Sequence, residues 1–221
     1  MSKSHKEEQQ YLRGKSVLVT GGAGFIGSHL VDALVARGSN VTIIDNLSSG
    51  RNENINKKAE FIKADILDYR LLKRIVEGKD IIFHIAASAT TKETSMGWKD
   101  PVYDYKVNAL GTLNMLRAIL EKNRNVKFLY ASSAAVYGEP EHTPIKESHP
   151  TNPISPYGIS KLTGEKYCYA YFKEYGLYTI VLRIFNTYGP RQPRYVMFDL
   201  FKKLLENPAK LEVLGDGNQI R

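Results

Sequence analysis

The sequence predicts an α/β protein in which a doubly wound parallel sheet is covered by helices on both faces. Three observations support this fold class. Short apolar segments rich in β-branched residues alternate strictly with segments of helical periodicity, and the apolar segments are nearly continuous. A glycine-rich turn joins the first apolar segment to the first helical one. Strands buried on both faces have this continuous apolar character, so the pattern is typical of a Rossmann fold.

Six strands and the helices between them can be placed along the chain. The expected strands are 15–20, 40–45, 59–65, 80–87, 126–133 and 178–186, with a further strand possible at 211–214. The expected helices are 25–38, 68–78, 101–123, 156–175 and 197–206. Pro101 suits the first turn of a helix and Gly176 suits a helix end, which supports the bounds of the two long helices.

The sequence predicts three segments along the chain. Residues 1–14 are polar and charged without an apolar core, which indicates a disordered tail and not a secretory signal. Residues 15–185 form the expected NAD-binding Rossmann domain. Residues 186–221 form the expected start of a second lobe.

The composition is that of a soluble globular protein, with 43% hydrophobic and 24% charged residues, and no apolar run is long enough to span a membrane. The net charge of +8 comes from scattered lysines and arginines, so we expect a solvated surface and no nucleic-acid partner. The histidines show no ligand spacing, so no metal site is predicted. The single cysteine, Cys168, excludes an internal disulfide and fits a reducing compartment, so we expect a cytoplasmic protein.

The segment TGGAGFIG places glycines at Gly21, Gly24 and Gly27, between the first strand and the first helix. A tight turn needs permissive backbone, a diphosphate needs approach without side chains, and the helix must pack closely on the strand. The free N–H groups and the positive end of the helix dipole then face the diphosphate. Asp45 ends the second strand, 18 residues after Gly27, and its carboxylate can accept hydrogen bonds from the adenosine ribose. Because a carboxylate would repel a 2′-phosphate, NAD is expected rather than NADP.

The segment SPYGISK places Tyr157 and Lys161 four residues apart, on one face of the expected helix. The pair could be an ordinary surface contact, or a general base with a cation that tunes it. Unperturbed tyrosine and lysine titrate near pH ~10 and ~10.4, so neither is a base at neutral pH unaided. A nearby positive charge favours the phenolate and lowers the tyrosine pKa.

With the glycine turn and SPYGISK, the sequence resembles the extended short-chain dehydrogenase/reductase family from about residue 15 to the last residue. Further motifs match in the family's order: ADILD at 64–68, HIAA at 84–87, NALGTLNML at 108–116, ASSAAVYG at 131–138 and RIFNTYGPRQ at 183–192. An ordered set of motifs is far more specific than any one of them. Within the family the sequence is most similar to the nucleotide-sugar 4-epimerases.

The resemblance implies a catalytic triad of Ser133, Tyr157 and Lys161. Tyr157 would take a proton from the sugar 4-hydroxyl, Ser133 would hydrogen bond the same oxygen, and Lys161 would tune Tyr157 and hold the nicotinamide ribose. The implied cofactor is NAD, with contacts from Gly21, Gly24, Phe25, Ile26, Gly27, Asp45, Asn46, Ser49, Gly50, Asp65, Ile66, Ala86, Ala87, Ser88, Asn108, Ser132, Tyr157, Lys161 and Phe185. The implied substrate is a UDP-hexose, with contacts from Thr91, Ser133, Tyr157, Asn186 and Arg221. His84 is expected to pack in the sheet.

The stretch SSAAVYG separates subclasses of the family. By the resemblance, nucleotide-sugar 4,6-dehydratases and decarboxylating UDP-xylose synthases carry an acidic residue just before VYG, whereas this sequence has Ala135. An alanine cannot transfer a proton, so an epimerase that interconverts UDP-glucose and UDP-galactose, or their N-acetyl forms, is favoured. The alternatives are another nucleotide-sugar enzyme of the family, a dehydratase or reductase, and a non-catalytic NAD-binding sensor.

Family members continue for roughly another hundred residues that build the sugar-binding lobe, so we expect that lobe to be largely missing here. The two long helices, 101–123 and 156–175, are rich in aromatic residues and adjacent in the predicted order. Family members dimerise through such a pair as a four-helix bundle, so the resemblance implies a homodimer.

Overall fold

The computed structural model describes residues 10–88, 98–192 and 196–213. The chain forms two compact units, and the division lies between Asn186 and Thr187. The sequence prediction places the boundary one residue earlier, after residue 185. The first unit contains the sheet and the candidate site, and the described residues of the second include the helix Val196–Glu206.

The first unit is built on a single parallel sheet of six strands, in the order β3-β2-β1-β4-β5-β6. The chain order of the strands reverses between β1 and β4, so a crevice opens there at the carboxyl ends of the strands. This arrangement confirms the predicted doubly wound Rossmann fold. The strands are β1 Ser16–Thr20, β2 Asn40–Asp45, β3 Glu60–Lys63, β4 Ile81–His84, β5 Lys127–Ser133 and β6 Thr179–Ile184.

Helices connect the strands, and several of their bounds depart from the sequence prediction. The helices expected at 25–38 and 68–78 end at Ala36 and Ile75. The helix expected at 101–123 is interrupted by a π-helical turn, Lys106–Leu110, and it ends at Lys122. Such a wide turn carries a bulge in the helix and is frequent at functional sites. The helices are α1 Phe25–Ala36, α2 Tyr69–Ile75, α3 Pro101–Tyr105, α4 Gly111–Lys122, α5 Pro156–Tyr175 and, in the second unit, α6 Val196–Glu206.

The fourth and sixth strands and the last expected strand differ from the prediction. β4 ends at His84 and not at residue 87, and β6 ends at Ile184 and not at residue 186. The apolar run continues past β4 because residues 85–88 leave the ladder and bond to side chains, as Ala86 N–H does to Thr20 Oγ1. Residues 211–213 form no strand, and position 214 lies outside the described residues.

The segment before β1 is partly ordered, so the prediction of a disordered tail over residues 1–14 is wrong for residues 10–14. Residues 10–12 are helical, and Leu12 packs against the apolar cluster beneath α1. Gly14 N–H donates to the Gly38 carbonyl at 2.8 Å, and the Leu12 carbonyl accepts from Ser39 Oγ at 2.8 Å. Periodicity could not show this because the partners lie after α1. Residues 1–9 lie outside the described residues.

The sheet is buried on both faces, and β1 shows why the strand sequences are continuously apolar. Successive side chains of a strand point to opposite faces. Val17 and Val19 pack in the cluster that includes Val31 of α1, whereas Leu18 packs in the cluster that includes Leu116 of α4. β1 therefore lies in the interior of the first unit and carries the glycine turn at its carboxyl end.

Helix α5 matches its predicted bounds because both ends have strong local signals. Ser155 caps the first turn by accepting from Gly158 N–H at 3.1 Å, and Pro156 occupies the first position. Gly176 ends the helix in the left-handed conformation, with φ of 67°. Midway along, Gly164 brings the helix close to β5, since a Cβ there would lie 2.3 Å from Tyr130 Oη.

That close approach gives a test of the packing between α5 and β5. We expect Gly164→Ala to lower the free energy of unfolding by about 1–3 kcal/mol, because the added methyl overpacks a buried tyrosine. In a Tyr130→Leu background the same change should become neutral or stabilising, since alanine is the better helix former. Urea denaturation of the four proteins measures both effects. An equal cost in both backgrounds would contradict the proposed contact.

Candidate active site

The turn after β1 packs closely against its neighbours only because its glycines have no side chains. Gly21 has φ of +73°, and a Cβ there would lie 2.8 Å from the Ala86 backbone at the end of β4. A Cβ on Gly27 would lie 2.1 Å from the Gly21 carbonyl oxygen. The turn, the first turn of α1 and the segment after β4 are therefore packed against one another by backbone contacts.

The N-terminus of α1 is suited to an anion. Its N-cap is Gly24, which offers no side chain to the helix, and no acidic side chain lies in the first turn. The first N–H groups of an α-helix have no partner within the helix, and they carry the positive end of its dipole. The first turn of α1, with Phe25, Ile26 and Gly27, thus offers a cradle of the kind that binds a diphosphate, while Gly24 N–H donates to the Gly21 carbonyl at 3.1 Å. The diphosphate contacts of these residues stay predictions.

Asp45 is part of the same turn. Its Oδ2 accepts from Ala23 N–H at 3.0 Å, and its Oδ1 accepts from Leu47 N–H at 2.8 Å. Leu47 has φ of 61°, a left-handed conformation that is uncommon for a leucine and is stabilised here by the carboxylate. Each carboxylate oxygen has a second lone pair, so the predicted bonds to ribose hydroxyls remain available.

The other residues predicted for the adenosine half gather at the ends of β2 and β3. Asn46 Nδ2 donates to Asp65 Oδ2 at 3.0 Å, and a Cβ on Gly50 would lie 2.9 Å from Asp45 Oδ1. Ser49 is exposed nearby in the sequence. Ile66 is 5% exposed and packs under Gly111, so its predicted contact with adenine would use only the edge of its side chain.

Asn108 connects the segment after β4 to α5. Its Oδ1 accepts from Ser88 N–H at 2.9 Å, and its Nδ2 donates to the Ser88 carbonyl at 2.7 Å and to Ser160 Oγ at 2.9 Å. Ser160 in turn donates to the Tyr157 carbonyl at 2.8 Å. The π-helical turn places the amide at the junction of these elements. Ala86 and Ala87 lie on the same segment, next to Ser88.

The structure brings the three residues predicted to be catalytic onto two adjoining segments. Ser133 ends β5, and its hydroxyl oxygen accepts from Ala135 N–H at 3.2 Å. A Cβ on Gly158 would lie 2.6 Å from the Ala135 carbonyl oxygen, so the turn after Ser133 rests against the first turn of α5, which carries Tyr157. Ser133 and Tyr157 are half-buried. Their roles remain predictions.

Lys161 is almost wholly enclosed, at 2% exposed. Its Nζ lies 4.6 Å from the centroid of the Tyr130 ring, a distance typical of a cation–π contact. Burial lowers the pKa of the lysine to about 7, and the carboxylate of Glu165 acts in the opposite direction. Burial raises the pKa of the Cys168 thiol to about 12, so this neighbour is uncharged near neutral pH. The predicted role of Lys161 as a cation is therefore opposed by desolvation and assisted by Glu165.

The comparisons with known proteins agree with this geometry. The model of the NAD dependent epimerase/dehydratase family matches residues 17–221. The chain belongs to this family. The match confirms the predicted family, and with it NAD as the cofactor. The glycine cradle and Asp45 are the residues of this chain that fit the cofactor's diphosphate and ribose.

Individual relatives differ in the reaction named for them. A putative UDP-glucose 4-epimerase of Methanocaldococcus jannaschii is 44% identical over 93% of this chain and 68% of its own length. A UDP-glucuronic acid decarboxylase 1 of Xenopus tropicalis is 36% identical over 94% of this chain and 50% of its own. The crystal structure of UDP-glucose 4-epimerase with UDP-glucose from Thermotoga maritima is 37% identical, with a TM-score of 0.81, over 91% of this chain and 66% of that one. The chain thus spans between half and about two thirds of these family members.

A buried network beside Lys161 was missed by the sequence analysis. Glu165 is 7% exposed and receives a bidentate pair of bonds from Arg183, with Nη2 to Oε2 at 2.8 Å and Nε to Oε1 at 3.0 Å. The bond with Glu165 raises the pKa of Arg183. Arg183 also donates to Tyr137 Oη at 2.9 Å, which ties β6 to the turn after Ser133. One feature of the sequence could have indicated this network: Glu165 follows Lys161 by four residues, so the two side chains lie on the same face of the helix.

Ser132 belongs to this network, and its predicted contact with the cofactor stays a prediction. Ser132 is 4% exposed and donates its hydroxyl to Glu165 Oε1, so its side chain is directed to α5. Successive side chains of β5 point to opposite faces of the sheet, so Ser132 and Ser133 are directed to opposite sides.

Of the remaining residues predicted for the cofactor or substrate, two follow β6 and two lie outside the described residues. Phe185 is 50% exposed at the end of β6, and Asn186 is exposed beside it. Thr91 and Arg221 lie outside the described residues. Within residues 10–88, 98–192 and 196–213, no three His, Cys, Asp or Glu side chains are grouped so as to hold a metal ion. Among the same residues, no helix has the length and apolar character that crossing a membrane requires.

The burial of Lys161 makes stability depend on pH. Its pKa is about 7 in the folded protein, below its ordinary value of 10.5. Between these values the unfolded chain binds more protons at this residue, so the lysine's contribution to the free energy of unfolding rises with pH and is lost as the pH falls through 7. We expect the free energy of unfolding of the protein, minus that of Lys161→Met, to rise from about pH 6 to about pH 10 in urea titrations. The control is Lys166→Met, at an exposed lysine of the same helix. If the corresponding difference in free energy of unfolding for Lys166→Met rose equally with pH, burial of Lys161 would not be the cause of the pH dependence.

Proposed function

We propose that this protein is an NAD-dependent epimerase that interconverts UDP-glucose and UDP-galactose, or their N-acetyl forms, through a 4-keto sugar. The observation that carries the proposal is Ala135. It lies on the 3₁₀ turn Ala134–Val136, whose backbone packs against Gly158 at the start of α5. An acid at this position would stand beside the tyrosine-bearing turn, whereas a methyl group cannot move a proton. The turn therefore supports a reaction without elimination or decarboxylation.

On this proposal Tyr157 is the general base. It takes the proton from the sugar 4-hydroxyl, while Ser133 donates a hydrogen bond to the same oxygen. Bound NAD supplies a site that takes up the hydride from C4 and later returns it. The 4-keto sugar receives the hydride on its other face, and Tyr157 returns the proton, so no net oxidation results.

In this scheme the positive charge of Lys161 lowers the pKa of Tyr157. A tyrosine must lose about three pKa units to act near pH 7, which corresponds to about 4 kcal/mol of differential interaction. A lysine ammonium one turn away on α5 favours the phenolate. Glu165, one turn further along, favours the charged form of Lys161 and so helps to keep the cation in its buried position.

A direct assay separates this proposal from its alternatives. The protein, expressed from its complete reading frame, is incubated with NAD and UDP-galactose, and UDP-glucose is followed by chromatography. UDP-N-acetylgalactosamine and UDP-glucuronate are run in parallel. We expect a 4-epimer from at least one UDP-hexose and no loss of water or carbon dioxide. Release of carbon dioxide or a 4-keto-6-deoxy product would show a decarboxylase or dehydratase, and NAD binding without any product would indicate a sensor.

The role of Tyr157 has its own test. We expect Tyr157→Phe to lower the epimerisation rate by about 10²–10⁴-fold, because the general base is lost, and to leave the NAD dissociation constant nearly unchanged. The control is Tyr171→Phe, the same change on the same helix about 21 Å further along its axis. A Tyr157→Phe protein with the rate of that control would rule out the assignment.

We also propose that the protein is a homodimer through the long helices. Val102 and Tyr105 of α3 are 61% and 50% exposed, and Ile159 of α5, which packs beside α3, is 51% exposed. Apolar side chains exposed together on neighbouring helices form a surface suited to association. A second copy of the same surface would complete the four-helix bundle that the family resemblance implies.

Charge at the centre of this surface should separate the subunits. We expect the double variant Val102→Arg/Ile159→Arg to sediment as a monomer where the unmodified protein sediments as a dimer. Tyr178→Arg, at a residue 52% exposed next to β6, is the control for added surface charge. A dimer that survives the double variant would place the interface elsewhere.

A further inference from the structure

His84, the last residue of β4, is fully buried at the point where the strand order reverses. Its Nδ1 lies 2.9 Å from Thr20 Oγ1, on the residue that precedes Gly21 of the phosphate turn. Its Nε2 lies 3.2 Å from Thr112 Oγ1 on α4. The histidine packs in the sheet, as expected from the sequence, but both of its ring nitrogens are also engaged.

The neighbours of His84 determine which nitrogen carries the proton. Thr112 Oγ1 donates its only hydrogen to the Asn108 carbonyl at 2.7 Å, so toward His84 it can only accept. Nε2 therefore carries the hydrogen, and Nδ1 accepts from the Thr20 hydroxyl. The Thr20 oxygen in turn accepts from Ala86 N–H at 3.1 Å.

The imidazole remains neutral across the working range of pH. Burial lowers the pKa of His84 to about 3, and the positive charge of Lys161 lowers it further. The ring also stacks on Tyr130, with centroids 5.9 Å apart, whose other contacts include Lys161. One tautomer is thus held by packing, by charge and by two directed hydrogen bonds.

The bonds continue beyond Thr112 to the first turn of α5. Thr112 donates to the backbone of Asn108, and the Asn108 side chain donates to Ser160 at 2.9 Å. Ser160 donates to the Tyr157 carbonyl at 2.8 Å. Five hydrogen bonds therefore link Thr20 at the end of β1 to the backbone of Tyr157, the residue proposed as general base, and they pass in order through His84, Thr112, Asn108 and Ser160.

We propose that His84 is a positioning residue whose two ring nitrogens serve different halves of the site. The bond from Thr20 to Nδ1 holds the phosphate turn for NAD, and the bond from Nε2 to Thr112 holds the segment of Asn108 and Tyr157 for catalysis. The second half of this inference rests on the proposed epimerase function, whereas the first rests only on NAD binding.

Two amide substitutions separate the two bonds. The Asn side chain can place its oxygen where Nδ1 lies, so His84→Asn keeps the acceptor for Thr20 and loses the donor to Thr112. The longer Gln side chain can place its nitrogen where Nε2 lies, so His84→Gln keeps the donor to Thr112 and loses the acceptor for Thr20. His84→Leu removes both.

The expected results form a crossed pattern. His84→Gln should weaken the NAD dissociation constant about tenfold and keep kcat at saturating NAD, whereas His84→Asn should lower kcat about tenfold and keep NAD affinity. Hydrogen exchange without NAD adds a readout that needs no activity, since Asn108 and the residues after Tyr157 should exchange faster in His84→Asn than in His84→Gln. Urea titration of each variant measures its stability.

Several outcomes would overturn the proposal. Equal losses in the Asn and Gln variants, or losses that follow stability alone, would leave His84 a packing residue. A nitrogen NMR spectrum of the protein with the hydrogen on Nδ1 would contradict the direction of the bonds. If the unmodified protein binds NAD but epimerises no UDP-hexose, only the proposed function fails, because NAD affinity and hydrogen exchange still report the two halves separately.

Discussion

Polar side chains buried at the carboxyl ends of the central strands have to find hydrogen-bond partners, and this requirement organises the site. A buried donor or acceptor without a partner costs about 1–3 kcal/mol, so each group constrains the next. Thr20, His84 and Asn108 meet the requirement by bonding across three elements that are far apart in sequence. The glycine turn, the π-helical turn and the first turn of α5 are therefore held in one arrangement, which no single element could maintain.

The balance between burial and charge is the second feature of the site. Lys161 lies in an enclosed position that disfavours its charge, while Glu165, one turn away, forms a partly buried ion pair with Arg183. Buried pairs contribute little net stability, because desolvation offsets much of their attraction. The effect of this pair here is on the charge of Lys161. Arg183 neutralises part of the acid, and the acid still favours the ammonium form of Lys161, so the local charge is set by three side chains from α5 and β6.

Much of the fold could be predicted from the sequence because its signals are local. Continuous apolar strands, a glycine turn in its expected context and the capping residues of α5 depend on near neighbours, and the bounds of α5 were predicted to the residue. The interruption at Lys106–Leu110 was not predictable, since helical periodicity continues through it. The order of residues 10–14 was missed for a similar reason, because the contacts of Leu12 are made after α1.

The candidate site was predictable in its motifs and not in its partners. Glycines, Asp45 and the Tyr157–Lys161 spacing can be read along one strand or helix. Whether Ser132 is directed to the cofactor or to Glu165 depends on a contact 33 residues away in the chain, and a family motif does not record it. The bond of His84 to Thr112 could not be predicted either, because the sequence of an apolar strand does not show which side chains face the ring nitrogens of its histidine.

The turn that follows β5 touches α5 through backbone atoms, the Ala135 carbonyl facing the α-carbon of Gly158. The side chain at position 135 therefore takes no part in the contact that aligns the two segments. A substitution at position 135 would keep this main-chain contact and so the alignment of the two segments. A single substitution can therefore change which groups are available for proton transfer without changing the fold. A family with this architecture can diversify its reactions in small steps, each passing through a folded protein that still binds its cofactor.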